Sequence, residues 1–235
     1  MSSISHLRLR DIMSARVSAV APDAPLAEAT RLMAEGAISC LVVRDRSSRP
    51  VGILTERDVA RLLHDQVDGG RPICEVMSSP VLTASPDLDF RAAFTLLRRN
   101  GVRHLVIVDQ TGHLAGVASE TDFRNHLGWN FYRKIHDLTA IMDLEMPTLA
   151  ETDTLATALD RMVNSRWDCV IVARDRRPVG IVTERDLPRL LCLYPNPAQV
   201  LLTSVMTCPV QTLCISDSTT EAASLMSKGH TRHMP

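Results

Sequence analysis

One heptapeptide returns along this chain at a fixed step: GILTERD at 52–58, GVASETD at 116–122 and GIVTERD at 180–186, each 64 residues after the last. A period of that length means copies of one supersecondary unit, which bury their apolar faces against one another instead of each closing a core alone. Other landmarks keep nearly the same step. Met13, Met77, Met142 and Met206 each sit in a short polar-apolar leader, and VSAV, PVLT, MPTL and PVQT follow a few residues later. Four repeats therefore begin.

Inside each repeat the periodicities change in the same order. After the first short apolar stretch, Leu26, Ala29 and Met33, then Phe90, Ala93, Phe94 and Leu97, then Leu155, Ala158, Leu159 and Met162, stand at helical spacing and predict helices with one buried face. Asp23, Asp87, Asp153 and Asp217 precede these helices as expected N-caps, and Gly36, Gly101 and Gly229 stand where three of them should end. Next come two apolar runs joined by a polar, turn-rich link, as in CLVV-RDRSSRP-VGIL and LVIV-DQTGHLA-GVA, which reads as a β-hairpin. ERDVARLL and ERDLPRLL then open a second helix. The expected fold is α+β, a repeated β-α-β-β-α unit of about 55 residues, too small to close its own core and so packed in pairs.

The repeat order and its G-h-x-[TS]-x-x-D segment resemble the CBS (cystathionine-β-synthase) repeat, pairs of which form the regulatory unit called a Bateman module. The resemblance extends over almost the whole chain, with repeat 1 at 8–66, repeat 2 at 72–128, an inter-module linker at 129–135, repeat 3 at 136–193 and repeat 4 at 200–235. The fourth departs from the pattern: Arg232-His233-Met234 aligns with Arg103-His104-Leu105, so the chain stops where the hairpin begins. The expectation is a piece of a longer protein, with an output domain in the missing C-terminal part and self-association to cover the incomplete pair.

By resemblance, the hydroxyl and the aspartate of the motif hold the ribose and phosphate of an adenosine nucleotide between paired repeats. The candidates are Thr55 with Asp58, Ser119 with Asp122, and Thr183 with Asp186, with Arg57 and Arg185 as added phosphate contacts; Thr121 replaces that arginine in repeat 2. The chemistry is sound, since backbone N–H groups at a helix start favour an anion and a carboxylate accepts ribose hydroxyls. The same [ST]-x-x-D spacing is also a helix capping box, which accounts for the residue types without a ligand. Base recognition in the family implies Val17–Val20, Val81–Thr83 and Thr148 as weaker candidates. AMP, ATP or S-adenosylmethionine is the implied regulatory ligand, and no cofactor is required. The alternative is an assembly module that binds nothing and dimerises an attached domain.

Composition narrows the other classes. Lysine plus arginine number 26 against 27 acidic residues, which leaves no excess to attract a nucleic acid or an anionic membrane. No apolar run is long enough to cross a bilayer and the N-terminus is not a signal peptide, so the expected location is cytoplasmic. Six cysteines with no C-x-x-C pair are expected to be reduced and mostly buried, Cys40 and Cys169 as strand residues. The histidines show no H-x-x-x-H or H-E-x-x-H spacing and no metal is expected; His104 and His233 are repeat equivalents at a strand start. No nucleophile motif or phosphate loop is present, so the chain is not expected to be an enzyme. Trp129, Phe131 and Tyr132 lie between repeats 2 and 3, where the packing of a connecting helix is the favoured reading and an interface the alternative.

Overall fold

The computed structural model describes residues 6–127, 138–143, 145–165, 167–229 and 231–235. Trp129, Phe131, Tyr132 and the linker at 129–135 lie outside the described residues. Repeat 1 opens with a leader helix α1 (Leu9–Ile12) and then runs β1 (Ala19–Val20), α2 (Leu26–Gly36), β2 (Cys40–Arg44), β3 (Pro50–Thr55) and α3 (Glu56–His64). Repeat 2 follows with β4 (Thr83–Ala84), α4 (Phe90–Arg99), β5 (His104–Val108), β6 (Leu114–Ser119) and α5 (Glu120–Leu127). Repeat 3 supplies β7 (Thr148–Ala150), α6 (Leu155–Val163), β8 (Cys169–Arg174), β9 (Arg177–Thr183) and α7 (Leu187–Leu193), and repeat 4 the helix α8 (Thr219–Lys228).

Each of the first three repeats forms one three-stranded sheet. The first strand pairs parallel to the second across the helix, and the second pairs antiparallel to the third. The registers are equivalent: Val43 faces Gly52, Ile107 faces Gly116 and Val172 faces Gly180. The expected β-α-β-β-α order is therefore observed.

The chain forms two compact units, one of Met1–Thr55 and Gly69–Gly128, the other of Glu56–Asp68 and Trp129–Pro235. Repeat limits and unit limits differ at α3, which ends repeat 1 in sequence but belongs to the second unit, where it packs on α6 and α7. Val59 and Leu63 on that helix are fully buried. An amphipathic pattern states that a face is buried without stating against what.

Leaders exchange partners. In the first unit, α1 of the first leader bonds to repeat 2, with Leu9 N–H donating to Leu88 O at 3.0 Å, and Leu9 and Ile12 join a core with Phe90, Leu97, Leu105, Ile107 and Phe123. Phe123 stacks tilted on Phe90 and Phe94 at centroid distances of 5.1 and 5.6 Å. The second leader returns to repeat 1, where Ile73 N–H donates to Ala24 O at 2.9 Å. The second unit repeats the device: Leu202 N–H of the fourth leader donates to Asp153 O at 2.9 Å, and Leu155 N–H to Val200 O at 2.8 Å.

Helix starts lie one or two residues beyond the expected aspartates. The N-caps are Pro25, Asp89, Thr154 and Ser218. Asp153 and Asp217 serve the preceding turn instead, accepting from Ala150 N–H and Cys214 N–H at 2.7 Å, while Asp87 pairs with Arg8 and Arg10. The glycines do stand at the helix ends, although the left-handed residue closing α2 is Ala37, at φ 48°. In repeat 4 the expected first strand is not formed among the described residues. Its backbone makes one hydrogen bond in that direction, from Leu213 N–H to Pro235 O at 2.9 Å.

Candidate ligand-binding site

The three motif hydroxyls occupy one structural position. Thr55, Ser119 and Thr183 each end the third strand of a repeat, paired with Cys40, His104 and Cys169 on the strand before. The next residue begins a helix or, at Glu184–Asp186, a 3-10 turn that leads into α7. Thr183 keeps extended angles, φ −124° and ψ 160°, as an N-cap must.

Ser119–Asp122 and Thr183–Asp186 form capping boxes. Ser119 N–H and its hydroxyl both donate to Asp122 Oδ2 at 2.7 Å, and Asp122 N–H returns to Ser119 Oγ at 3.3 Å. Thr183 N–H and hydroxyl donate to Asp186 Oδ2 at 2.9 Å, with the reciprocal bond also present. All four of these residues are half-buried, and each carboxylate is fixed in place by its own hydroxyl. Asp58 is buried in the first turn of α3, with Arg61 Nη2 at 3.9 Å from its Oδ1, and Thr55 is half-buried.

The two candidate arginines differ. Arg57 lies in the second unit, donating from Nη2 to Ser165 O at 3.1 Å with its Nε 4.0 Å from Glu184 Oε1, whereas Arg185 is exposed. Thr121, in the place of an arginine in repeat 2, is half-buried. Among the weaker candidates, Val17, Ala19 and Val81 pack on Val42, Ile53, Val106 and Val117 inside the first unit, while Thr83 and Thr148 are exposed.

Several site residues were not visible in the sequence. The glutamates of the two TERD segments are buried, Glu56 pairing with Arg232 at 3.0 Å and Glu184 lying beside Arg57. The repeat-equivalent histidines make equivalent bonds: His104 Nε2 to Ser39 Oγ at 2.9 Å, and His233 Nε2 to Asp168 Oδ1 at 2.8 Å. The 64-residue step, applied to His104 and His233, was the signal that these positions matter. Cysteines depart from expectation: Cys74, Cys192, Cys208 and Cys214 are exposed, Cys40 is half-buried and Cys169 is buried. All six are free thiols, and burial, then the Asp168 and Glu184 carboxylates, push the Cys169 thiol up to about 12. The four exposed ones lie in leaders and loops or at the end of α7, where the chain presents them to solvent.

The family model of the CBS domain matches residues 9–65, 73–128 and 137–192. Among curated relatives, an uncharacterized protein of Methanocaldococcus jannaschii, MJ1225, is 27% identical over 191 residues, 76% of this chain and 68% of that one. An uncharacterized 17.7 kDa protein of Acidianus ambivalens is 32% identical over 120 residues, 51% of this chain and 73% of that one. Inosine-5'-monophosphate dehydrogenase of Mycobacterium tuberculosis is 39% identical over 103 residues, 43% of this chain but 19% of the enzyme. The crystal structure of MJ1225 superposes with a TM-score of 0.84 over 97% of this chain and 92% of that one, at 18% identity, a likeness of fold. No helix among the described residues is long and apolar enough to cross a membrane.

Proposed function

This chain belongs to the CBS domain family, and from that premise we propose that it is a regulatory ligand-sensing module, without catalytic activity of its own, that binds adenosine-type nucleotides through its hydroxyl–aspartate pairs. The reading rests on one observation: the pairs stand at the same strand-to-helix junction, and in Ser119–Asp122 and Thr183–Asp186, all four residues half-buried, the carboxylate is held by its own hydroxyl. A carboxylate fixed in advance accepts a ribose diol without the ordering cost of a free side chain. Thr55 with Asp58 would be a third such pair, and Arg57 and Arg185 would add phosphate contacts, Arg57 giving up its bond to Ser165 O to do so. Ligand binding would act by differential affinity for two packings of the modules and so bias an attached or partner output domain.

Calorimetric titration with AMP, ATP and S-adenosylmethionine tests this, on the chain and on Asp58→Ala, Asp122→Ala and Asp186→Ala, with urea unfolding of each variant to separate a lost cap from a lost ligand. Saturable binding abolished in a variant that stays folded supports the reading. Flat titrations throughout reject it in favour of an assembly module. That second reading draws on the exposed apolar side chains Ile141, Leu193, Leu201 and Ile215, which are 46%, 57%, 47% and 63% accessible and suit a homo-oligomer. Sedimentation at micromolar concentration would then show a dimer or larger species, and a strict monomer would reject self-association.

A further inference from the structure

In the second unit, the carboxylate of Asp168, the thiol of Cys169 and the imidazole of His233 place one ligand atom each within 4.8 Å of one another. We propose that these three residues bind a divalent cation of borderline softness, with zinc the best match.

The donor set is the first argument. A carboxylate, a thiolate and a neutral imidazole are all zinc ligands, and two negative charges cancel the two positive charges of the ion, which a largely buried site requires. Cys169 is fully buried, and the side chains of His233 and Asp168 are 25% and 35% accessible, so the cluster has a closed inner side and an open outer one. Zinc bond lengths of about 2.0–2.3 Å put tetrahedral ligand atoms roughly 3.3–3.7 Å apart. The three donors reach that spacing by small side-chain rotations, and the fourth position falls to water.

The first unit supplies the comparison. There Ser39 and His104, separated by 65 residues as Asp168 and His233 are, make the same bond from the same place in the fold, and Cys40 begins β2 as Cys169 begins β8. The scaffold is thus common to both units, and a histidine–hydroxyl bond satisfies it. Only the second unit replaces the hydroxyl with a carboxylate, next to the buried Glu184, which also adds negative charge around Cys169. That substitution strengthens the hydrogen bond to the imidazole and also turns the position into one that attracts a cation. On binding, the thiol proton leaves to solvent, the carboxylate parts from the imidazole, and the ion ties the start of β8 to the segment 231–235.

The test uses the full chain with Cys74→Ser, Cys192→Ser, Cys208→Ser and Cys214→Ser, which removes the exposed thiols. Titration with cobalt(II) chloride should give one ion per chain, with a thiolate-to-cobalt charge-transfer band that zinc chloride displaces. Cys169→Ala should abolish the band. Asp168→Ser, which installs the arrangement of the first unit, and His233→Gln should each weaken binding by at least about tenfold. Metal-free circular dichroism melts check that the variants fold, and the two partly exposed positions carry the test if Cys169→Ala does not. No band in the parent chain, a band that survives Cys169→Ala, or unchanged affinity in folded Asp168→Ser would each overturn the proposal.

Discussion

The thioether of Met206 lies against the backbone of Gly180, in the space that any Cβ at that residue would occupy. Met77 covers Gly52 and Met13 covers Gly116 in the same way, each methionine coming from the leader of one repeat and each glycine from the third strand of another. Backbone bridges fix these contacts: Ser14 with Val117, Ser78 with Ile53 and Thr207 with Ile181. The first residue of the G-h-x-[TS]-x-x-D motif is therefore a packing requirement, separate from whatever its hydroxyl and carboxylate hold.

Gly52→Ala, Gly116→Ala and Gly180→Ala should each destabilise by about 1–3 kcal/mol, the range for an added methyl in a packed core, read from urea midpoints. At Gly52 the three nearest atoms all belong to the flexible side chain of Met77, so adding Met77→Ala should recover part of the loss. At Gly116 the Ser14 carbonyl oxygen is also 3.1 Å from the new methyl and cannot turn aside, so adding Met13→Ala should recover less. Equal recovery at both sites would contradict this account.

Glu56 is 4% accessible and receives Arg232 Nη1 at 3.0 Å. Removing the arginine strands a buried carboxylate, so Arg232→Ala should cost on the order of 3 kcal/mol. The buried Arg232 Nε–H finds no acceptor among the described residues, and Arg232→Lys keeps a positive charge for Glu56, so it should cost less than Arg232→Ala. Chemical denaturation of the two variants checks the order. If Glu56→Gln combined with Arg232→Met proves as unstable as Arg232→Ala alone, the stranded charge is not the cause.

The 64-residue step made the strand order, the equivalent registers and the position of every motif hydroxyl readable, because register follows from where Gly52, Gly116 and Gly180 fall in their hairpins. It did not reveal which repeat each leader serves, since Met13 meets Gly116 and Met77 meets Gly52 across distances that no local pattern encodes. Nor did it place α3, whose apolar stripe would look the same against any neighbour. Nothing local marks the glutamates in TERD as buried, because their partners Arg232 and Arg57 are far away in sequence. The cap assignments slipped because Asp153 and Asp217 sit in a turn that also needs an acceptor, one residue ahead of Thr154 and Ser218.

Asp109, in the turn between β5 and β6, accepts at Oδ1 from the Thr111 hydroxyl at 2.6 Å and from the backbone N–H groups of Thr111 and His113 at 2.8 and 2.9 Å. These bonds, the Thr111 hydroxyl first, hold its carboxyl below the ordinary value of 3.8. A depressed folded-state value means that the stabilisation is complete above 3.8 and is lost as pH falls through the lowered value. The urea midpoint of Asp109→Asn should thus lie below that of the parent at neutral pH and converge with it in acid. Thr111→Val should bring the Asp109 titration, followed by NMR, back toward its ordinary range; a titration unmoved by that change would show the hydroxyl bond to be unimportant.

Cys169 should be the last thiol to react. The nucleophile is the thiolate, and with the thiol pushed up to about 12 only roughly one molecule in ten thousand carries it at pH 8. Burial at 0% accessibility adds the requirement that the second unit open first. With Ellman's reagent, Cys74, Cys192, Cys208 and Cys214 should react rapidly, half-buried Cys40 more slowly, and Cys169 only through unfolding. Since that last rate reports opening, Arg232→Ala should accelerate it in proportion to the stability lost, roughly a hundredfold for about 3 kcal/mol, while leaving the four fast thiols unchanged. Labelling of Cys169 at the rate of the exposed thiols, identified by mass spectrometry, would show that β8 is open in the native state and that the packing described around it does not hold.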